Sequence, residues 1–379
     1  MKIAIVGFLH YKEDKRVMRT VKALSKLGEV TYLYWSEKKE DIYCSNGIIY
    51  VPFFHRVQKD HPLHEWNSRK KHESEIINFL REHEFDIIYF HHFATTRTLA
   101  PYAALSKKKT TIITDFHEYI PEEYLYGIKA IPRSLKSIIG NYLYKRLLKR
   151  SDGAVFVSWH MHKMALKIKA DLNSLWIPNY GSFIVKPYQK VKRRKEIVFV
   201  GKIQRKMIKE TKILAKLIER GVTFTVIGSA PYSNVNYIKN INFLPLMPYE
   251  KMIDYISKSA FTIISYDTLD KHGKPWINYI YSMPNKFFDS ICAGTPVIVD
   301  KNFEEMKSFV EEDNTGLIID RNNVEETSKL ILNTWGDSSK YESLIDNISG
   351  KQERYCWDEK KEEQFLSFVL STYKEAKRK

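Results

Sequence analysis

Tyr281-Ser-Met-Pro-Asn-Lys-Phe-Phe-Asp-Ser-Ile-Cys-Ala-Gly-Thr-Pro-Val-Ile-Val299 decides how this chain folds. It reads as a loop, a helix beginning near Pro284-Asn285, and a Gly-Thr-Pro turn into a buried strand. Proline suits a first helical turn, where its missing N–H costs nothing. The unpaired amides of Asn285 and Lys286 then face whatever lies before the helix, and a diphosphate is a natural occupant of such a terminus. Asp289, one turn on, can accept hydrogen bonds from ribose hydroxyls. The competing reading is an ordinary capped helix with a solvated Asp289.

Outward from this segment, short β-rich apolar runs alternate with helical patterns. Ile197–Gly201, Thr223–Gly228, Ile241–Leu244, Ala260–Ser265 and Pro296–Val299 read as strands. In the first half the strands are Ile3–Gly7, Val30–Trp35, Ile48–Pro52, Ile87–Phe90, Thr111–Asp115 and Ala154–Ser158. Helices are read at Lys15–Leu27 and Glu73–Arg81. Such alternation predicts parallel sheets covered on both faces. Pro178-Asn179-Tyr180-Gly181 breaks the pattern, and the basic stretch from Lys186 to Lys195 carries little apolar periodicity, so a linker is placed near 180–195. The prediction is α/β, with two Rossmann-like, doubly wound parallel-sheet domains at 1–182 and 183–355. A closing helical segment follows at 356–379. Ligands of such sheets bind beyond the carboxyl ends of the strands, and two sheets face to face would enclose a cleft.

The formal charge of +16 is unevenly spread: residues 1–185 carry 29 Lys and Arg against 19 Asp and Glu. A basic surface attracts phosphates on nucleic acid, lipid or small ligands. No zinc-finger spacing or aromatic RNA-binding signature accompanies it, so nucleic acid is not an expected partner. Cys44, Cys292 and Cys356 lie far apart and read as unpaired thiols of a reducing compartment. Met1-Lys2 runs directly into a strand, and no apolar run reaches the ~20 residues of a membrane span. A cytoplasmic protein is expected, soluble or peripheral at the inner face of the membrane.

The 281–299 segment resembles the donor-binding signature of family-4 retaining glycosyltransferases, in the subgroup reading roughly Pro-Asn-Lys-Leu-Phe-Glu-Tyr-Met-Ala-Ala-Gly-x-Pro-Val. The resemblance implies the GT-B fold and a nucleotide-sugar donor. It puts Asp289 at the family's ribose-binding glutamate, on a stem one methylene shorter. Eight positions earlier many members have a glutamate that contacts the donor sugar, and this chain has Tyr281. Sugar recognition is then left to Asn278, Tyr281 or the Lys271-His272-Gly273-Lys274 loop. Val198-Phe-Val-Gly201-Lys202 resembles the first βα loop, which implies diphosphate contacts from Lys202 and Lys209, with Lys206 as the alternative to Lys209. Val226-Ile-Gly228-Ser-Ala-Pro231 resembles the following glycine turn.

In the first half, the stretch from Gly7 through His10 to Arg16 resembles the family's Asp-x-Arg-Val segment. Thr114-Asp115-Phe-His117-Glu118 resembles its Asp-x-His-Glu motif, which places His117 beside the transferred sugar. His91 and His92 end the preceding strand as further candidates, and Ile177-Pro178-Asn179 matches the interdomain segment. Cys356-Trp357-Asp358 and the helical pattern to Tyr373 resemble the closing segment, which implies that 356–379 crosses back onto the first domain. No metal is expected, because His91 and His117 have no partners at ligand spacing, and no cofactor beyond the nucleotide sugar. The implied chemistry is front-face substitution with retention, the leaving phosphate taking the acceptor proton. The acceptor is a glycan or a lipid-linked sugar of bacterial surface polysaccharide or glycoconjugate synthesis. Arg133 to Arg150 reads as a basic amphipathic helix that rests on anionic membrane or packs on the core. A sugar-nucleotide 2-epimerase and a non-catalytic partner subunit of the same shape are the rival readings.

Overall fold

The computed structural model describes residues 1–55, 62–92, 97–105, 109–124, 131–201, 210–228, 240–269 and 273–378. The chain divides into two compact units, Met1–Pro178 with Glu359–Lys379, and Asn179–Asp358.

In the first unit the strands are β1 (Lys2–Tyr11), β2 (Glu29–Ser36), β3 (Tyr43–Ser45), β4 (Ile48–Phe54), β5 (Ile87–His92), β6 (Thr111–Phe116), β7 (Gly153–Phe156) and β8 (Ser174–Trp176). They form one sheet in the order β3-β4-β2-β1-β5-β6-β7-β8. Only β3 is antiparallel to its neighbour. The strands are near-continuous apolar runs because helices cover both faces. Ala4, Val6, Ile88, Phe90, Ala154 and Phe156 pack with Leu80, Tyr144, Leu147 and Leu148 of the helices Pro62–Glu82 and Arg133–Arg150. Burying one such side chain contributes roughly 1.5–3 kcal/mol. The helix Glu359–Arg378 also lies on this sheet: a Cβ on Gly153 would come within 2.9 Å of Thr372.

The second unit holds β9 (Arg194–Val200), β10 (Thr223–Ile227), β11 (Ile241–Leu244), β12 (Ser259–Ile264), β13 (Val297–Asp300) and β14 (Gly316–Ile319). All are parallel, in the order β11-β10-β9-β12-β13-β14. β9 begins inside the basic stretch read as linker. Arg194 can open a strand because its guanidinium reaches the edge, stacking over Tyr255 at 4.1 Å and pairing with Glu196 at 2.7 Å. Gly181 bridges to Cys356 within this unit, tying residues after Pro178 to its far end.

Three other readings needed correction. β1 does not end at Gly7 but runs to Tyr11. The helix read from Glu73 starts at Pro62. The helix Arg133–Arg150 is not amphipathic from side to side. Its exposed side chains are Arg133, Ser134, Leu135, Ile138 and Tyr142 over the start and middle, and Lys145, Arg146 and Lys149 toward the end.

Candidate functional site

The carboxyl edge of the first sheet gathers histidines. β1 is distorted beyond Val6: its register with β2 shifts, and Phe8 adopts the left-handed region at φ 47°. An L-residue there costs roughly 1–2 kcal/mol, and Phe8 is held by stacking on Phe90 at 5.8 Å. Gly7 lies within the strand. A Cβ there would meet Tyr32 at 3.2 Å and the Leu33 carbonyl at 3.3 Å, so glycine at this position lets β2 pack closely. Beyond the distortion, His10 Nδ1 lies 3.3 Å from Asp14, which caps the next helix by accepting from the amides of Arg16 and Val17. The His10 ring also sits 4.7 Å from that of His117.

Asp115, at the end of β6, is buried and doubly held. Arg16 donates from Nε at 3.0 Å and Nη2 at 2.7 Å, and the Tyr89 hydroxyl donates at 3.1 Å. The remaining Arg16 arm donates to the Ile177 carbonyl at 2.8 Å, so this guanidinium is internal and braces Asp115. Burial pushes Asp115 up, but Arg16, with His117 and the Tyr89 hydroxyl, outweighs it and holds the carboxyl below the usual range. His91 and His117 are linked Nδ1 to Nε2 at 3.0 Å. Burial drives both well below the ordinary histidine value, so both are neutral. His117 keeps 15% of its side chain exposed, whereas His91 is fully buried. Burial raises the Glu118 carboxyl, with His10 opposing the rise.

Folding thus brings together what chain spacing keeps apart: one ligand atom each from His91, Asp115 and His117 lies within 4.8 Å of the others. The separations suit a cation, but both Asp115 oxygens are taken by Arg16, whose charge repels a dication at that place.

In the second unit the candidates meet at the carboxyl edge of β9, β10, β12 and β13. Gly201 ends β9 at φ 129°, and Gly228 ends β10 at φ 139°. A Cβ on Gly228 would lie 2.2 Å from the Gly201 carbonyl oxygen, so the two turns touch and position 228 admits only glycine. The helix Asn285–Cys292 follows Pro284, which serves as its N-cap and not as its first residue. The Asn179 side chain donates to the Met283 carbonyl at 2.9 Å and fixes the turn before this helix. Asn285 is exposed, while the Lys286 ammonium lies between the rings of Phe199 and Tyr266, at 4.1 and 4.3 Å. It approaches Gly201 too, 4.0 Å from where a Cβ would stand. Burial between the rings lowers its pKa to about 7, opposed by Glu210.

Asp289 is buried, and its Oδ1 accepts from the Tyr249 hydroxyl at 2.6 Å, so the solvated alternative does not hold. Asn278 is buried as well. Tyr281 is half-buried, and burial, with the nearby Glu304 carboxylate from the first turn of the helix after β13, raises its hydroxyl's pKa. Lys202, Lys206 and Lys209 lie outside the described residues, as do Lys271 and His272 and residues 229–231.

Residues 15–176 match the model of Glycosyltransferase Family 4, and residues 197–354 match that of the Glucosyltransferase 3-like, C-terminal domain. The chain is a glycosyltransferase of the GT-B type. The second half therefore fits a different model from the family-4 signature read in it. The transferase shares its fold with sucrose-phosphate synthase from Thermosynechococcus elongatus, at a TM-score of 0.71 and 13% identity over 98% of this chain and 99% of that one. Anabaena Alr3699/HepE, in complex with UDP and glucose, superposes with a TM-score of 0.65 and 12% identity over 98% and 100%. The lipopolysaccharide outer core galactosyltransferase WaaB, in its apo form, gives 0.60 and 15% over 98% and 99%. No curated protein sequence matches the transferase.

Tyr249, Glu304 and Tyr89 escaped the sequence reading. Each acts through a partner distant in the chain, and a local motif carries no signal for such a pairing. A carboxylate in the place of Glu304 also reads as ordinary first-turn charge.

Proposed function

We propose that the transferase moves a sugar, with retained anomeric configuration, from a UDP- or GDP-sugar to a glycan or lipid-linked acceptor in bacterial surface polysaccharide or glycoconjugate synthesis. One observation carries the donor side. Two touching glycine turns, an uncapped helix start and a buried ribose-type carboxylate gather at one sheet edge of the second unit. Anabaena HepE, of the same fold, was solved with UDP and glucose, which supports a nucleotide-sugar donor.

On this reading Asp289, steadied by Tyr249, holds the ribose. The diphosphate lies against Gly201, Gly228 and the amides of Asn285 and Lys286, with Lys202 and Lys209 (or Lys206) adding charge. The anion restores full charge to the Lys286 ammonium, whose pKa without it is about 7. When the C1–O bond breaks, its electron pair passes to the diphosphate, and these donors stabilise the developing charge. The acceptor oxygen bonds to C1 on the same face, and its proton leaves with the phosphate. Tyr281 and Glu304 together replace the missing family glutamate at the sugar hydroxyls, with Asn278 beside them, and His117 contacts the transferred sugar, as its Asp-x-His-Glu motif implies.

The acceptor side is proposed to rest on anionic membrane through the helix Arg133–Arg150, with Leu135, Ile138 and Tyr142 entering the interface and Lys145, Arg146 and Lys149 meeting headgroups. No described helix is long and apolar enough to cross a membrane.

The test is incubation with UDP- and GDP-sugars and glycan or polyprenyl-phosphate-sugar acceptors, the product's anomeric centre being read by proton NMR. Retention is expected. Inversion would remove the front-face step, a donor epimer without transfer would favour the epimerase, and no turnover of any donor would favour the partner subunit.

A further inference from the structure

Arg16, Asp115, Tyr89, His91 and His117 form one chain of contacts ending at a partly exposed ring. With Arg16 and Tyr89 fixing Asp115, its Oδ2 lies 3.5 Å from Nδ1 of His91. That same Nδ1 is 3.0 Å from Nε2 of His117, while His117 Nε2 is 3.9 Å from Asp115 and so beyond hydrogen-bond reach. A neutral imidazole has one N–H and one bare nitrogen.

Two arrangements satisfy the contact between the rings. In the first, His91 Nδ1–H donates to His117 Nε2. In the second, His117 Nε2–H donates to His91 Nδ1. The second turns a bare lone pair of His91 toward the Asp115 carboxylate. It also moves the His91 proton to Nε2, which is buried without a hydrogen-bond partner among the described residues. An orphaned buried donor costs about 1–3 kcal/mol, and orphaned buried N–H groups are rarer than orphaned acceptors. The first arrangement places the proton beside the carboxylate and leaves only a bare nitrogen unpaired. Both electrostatics and satisfaction favour it.

We propose that His91 is a positioning residue that locks His117 as the Nδ1–H tautomer, so that His117 meets its ligand as a hydrogen-bond donor. The ligand atom is then a lone pair, a sugar hydroxyl oxygen, and His117 takes no proton from the acceptor. This rests on the proposed place of His117 beside the sugar. The lock also excludes a cation on the same three side chains, since a metal needs both facing nitrogens bare.

NMR of protein labelled with nitrogen-15 in its histidines tests the lock directly, the His117 signals being assigned by their loss in His117→Ala. Near neutral pH the expected result is a protonated Nδ1 and a bare Nε2. His91→Leu should mix the two tautomers of His117 and lower kcat about tenfold, with donor KM nearly unchanged. His91→Asn, whose amide N–H takes the place of Nδ1–H, should restore most of the rate and the single tautomer. A bare Nδ1 in the wild type overturns the proposal. So does a His117 spectrum unaltered by His91→Leu, or stoichiometric Zn2+ binding that shifts both rings. The predicted tautomer with full transfer by His117→Ala would support the lock while removing His117 from the sugar.

Discussion

In the proposal, Glu304 and Tyr281 together take the place of the family glutamate, with the carboxylate supplied from elsewhere in the chain. Tyr281 stands where a glutamate was expected by resemblance, and the carboxylate of Glu304, brought in by the helix after β13, lies near enough to its hydroxyl to raise its pKa together with burial. Glu304→Ala should therefore raise the donor-sugar KM several-fold, about 1 kcal/mol per fivefold, while UDP or GDP alone binds as before. Steady-state kinetics beside calorimetry with the bare nucleotide checks this, and equal losses for both ligands would place Glu304 away from the sugar. At this scale the sequence put His117, Gly201, Gly228 and Asp289 forward as candidates, because a glycine after a strand or a polar residue at its carboxyl end is a local signal. It could not mark Tyr249 as the partner of Asp289, or His91 as the partner of His117, since those pairings exist only after the strands align. The pairing of the Arg16 guanidinium with Asp115 and the Ile177 carbonyl was hidden for the same reason.

The helix Asn285–Cys292 was legible as an element because its punctuation is strong. A proline precedes it, and Gly294, in the left-handed region at φ 75°, ends it. The short strands β3, β8 and β14 were not read, for runs of three or four residues give periodicity too little length. β9 was read late because Arg194 and Lys195 disguise its start. The helix Arg133–Arg150 carries the membrane proposal, with Leu135, Ile138 and Tyr142 exposed ahead of the exposed cations Lys145, Arg146 and Lys149. Vesicles containing anionic lipid should sediment with the transferase, and neutral vesicles should not. Ile138→Glu with Tyr142→Glu should abolish this, and Lys145→Gln with Lys149→Gln should weaken it and its salt sensitivity. Binding indifferent to both pairs would show that the face serves another purpose.

Across the whole molecule the histidines are unevenly placed: every one except His272 lies in residues 1–178. Burial lowers His72 to about 4 and His92 to about 3, and moves His91 and His117 the same way. Unfolded histidine titrates near ~6.5, so below that pH the unfolded chain binds protons that the folded unit refuses. Their stabilisation is complete above ~6.5 and is lost as pH falls through the folded values, at about 1.4 kcal/mol per pH unit for each histidine. Limited proteolysis at pH 7 and at pH 5 should show early cleavage within 1–178 only at the lower pH, whereas cleavage spread evenly over both units would contradict the linkage. The assignment of the nucleotide to the second unit is the central claim, and calorimetric titration of UDP and GDP into the wild type, Tyr249→Phe and Asp289→Ala tests it most directly. Wild type should bind one of the two nucleotides, Asp289→Ala should lose about tenfold or more, worth ~1.4 kcal/mol, and Tyr249→Phe should fall between. Unchanged affinity in Asp289→Ala, with the fold intact by circular dichroism, would contradict the account.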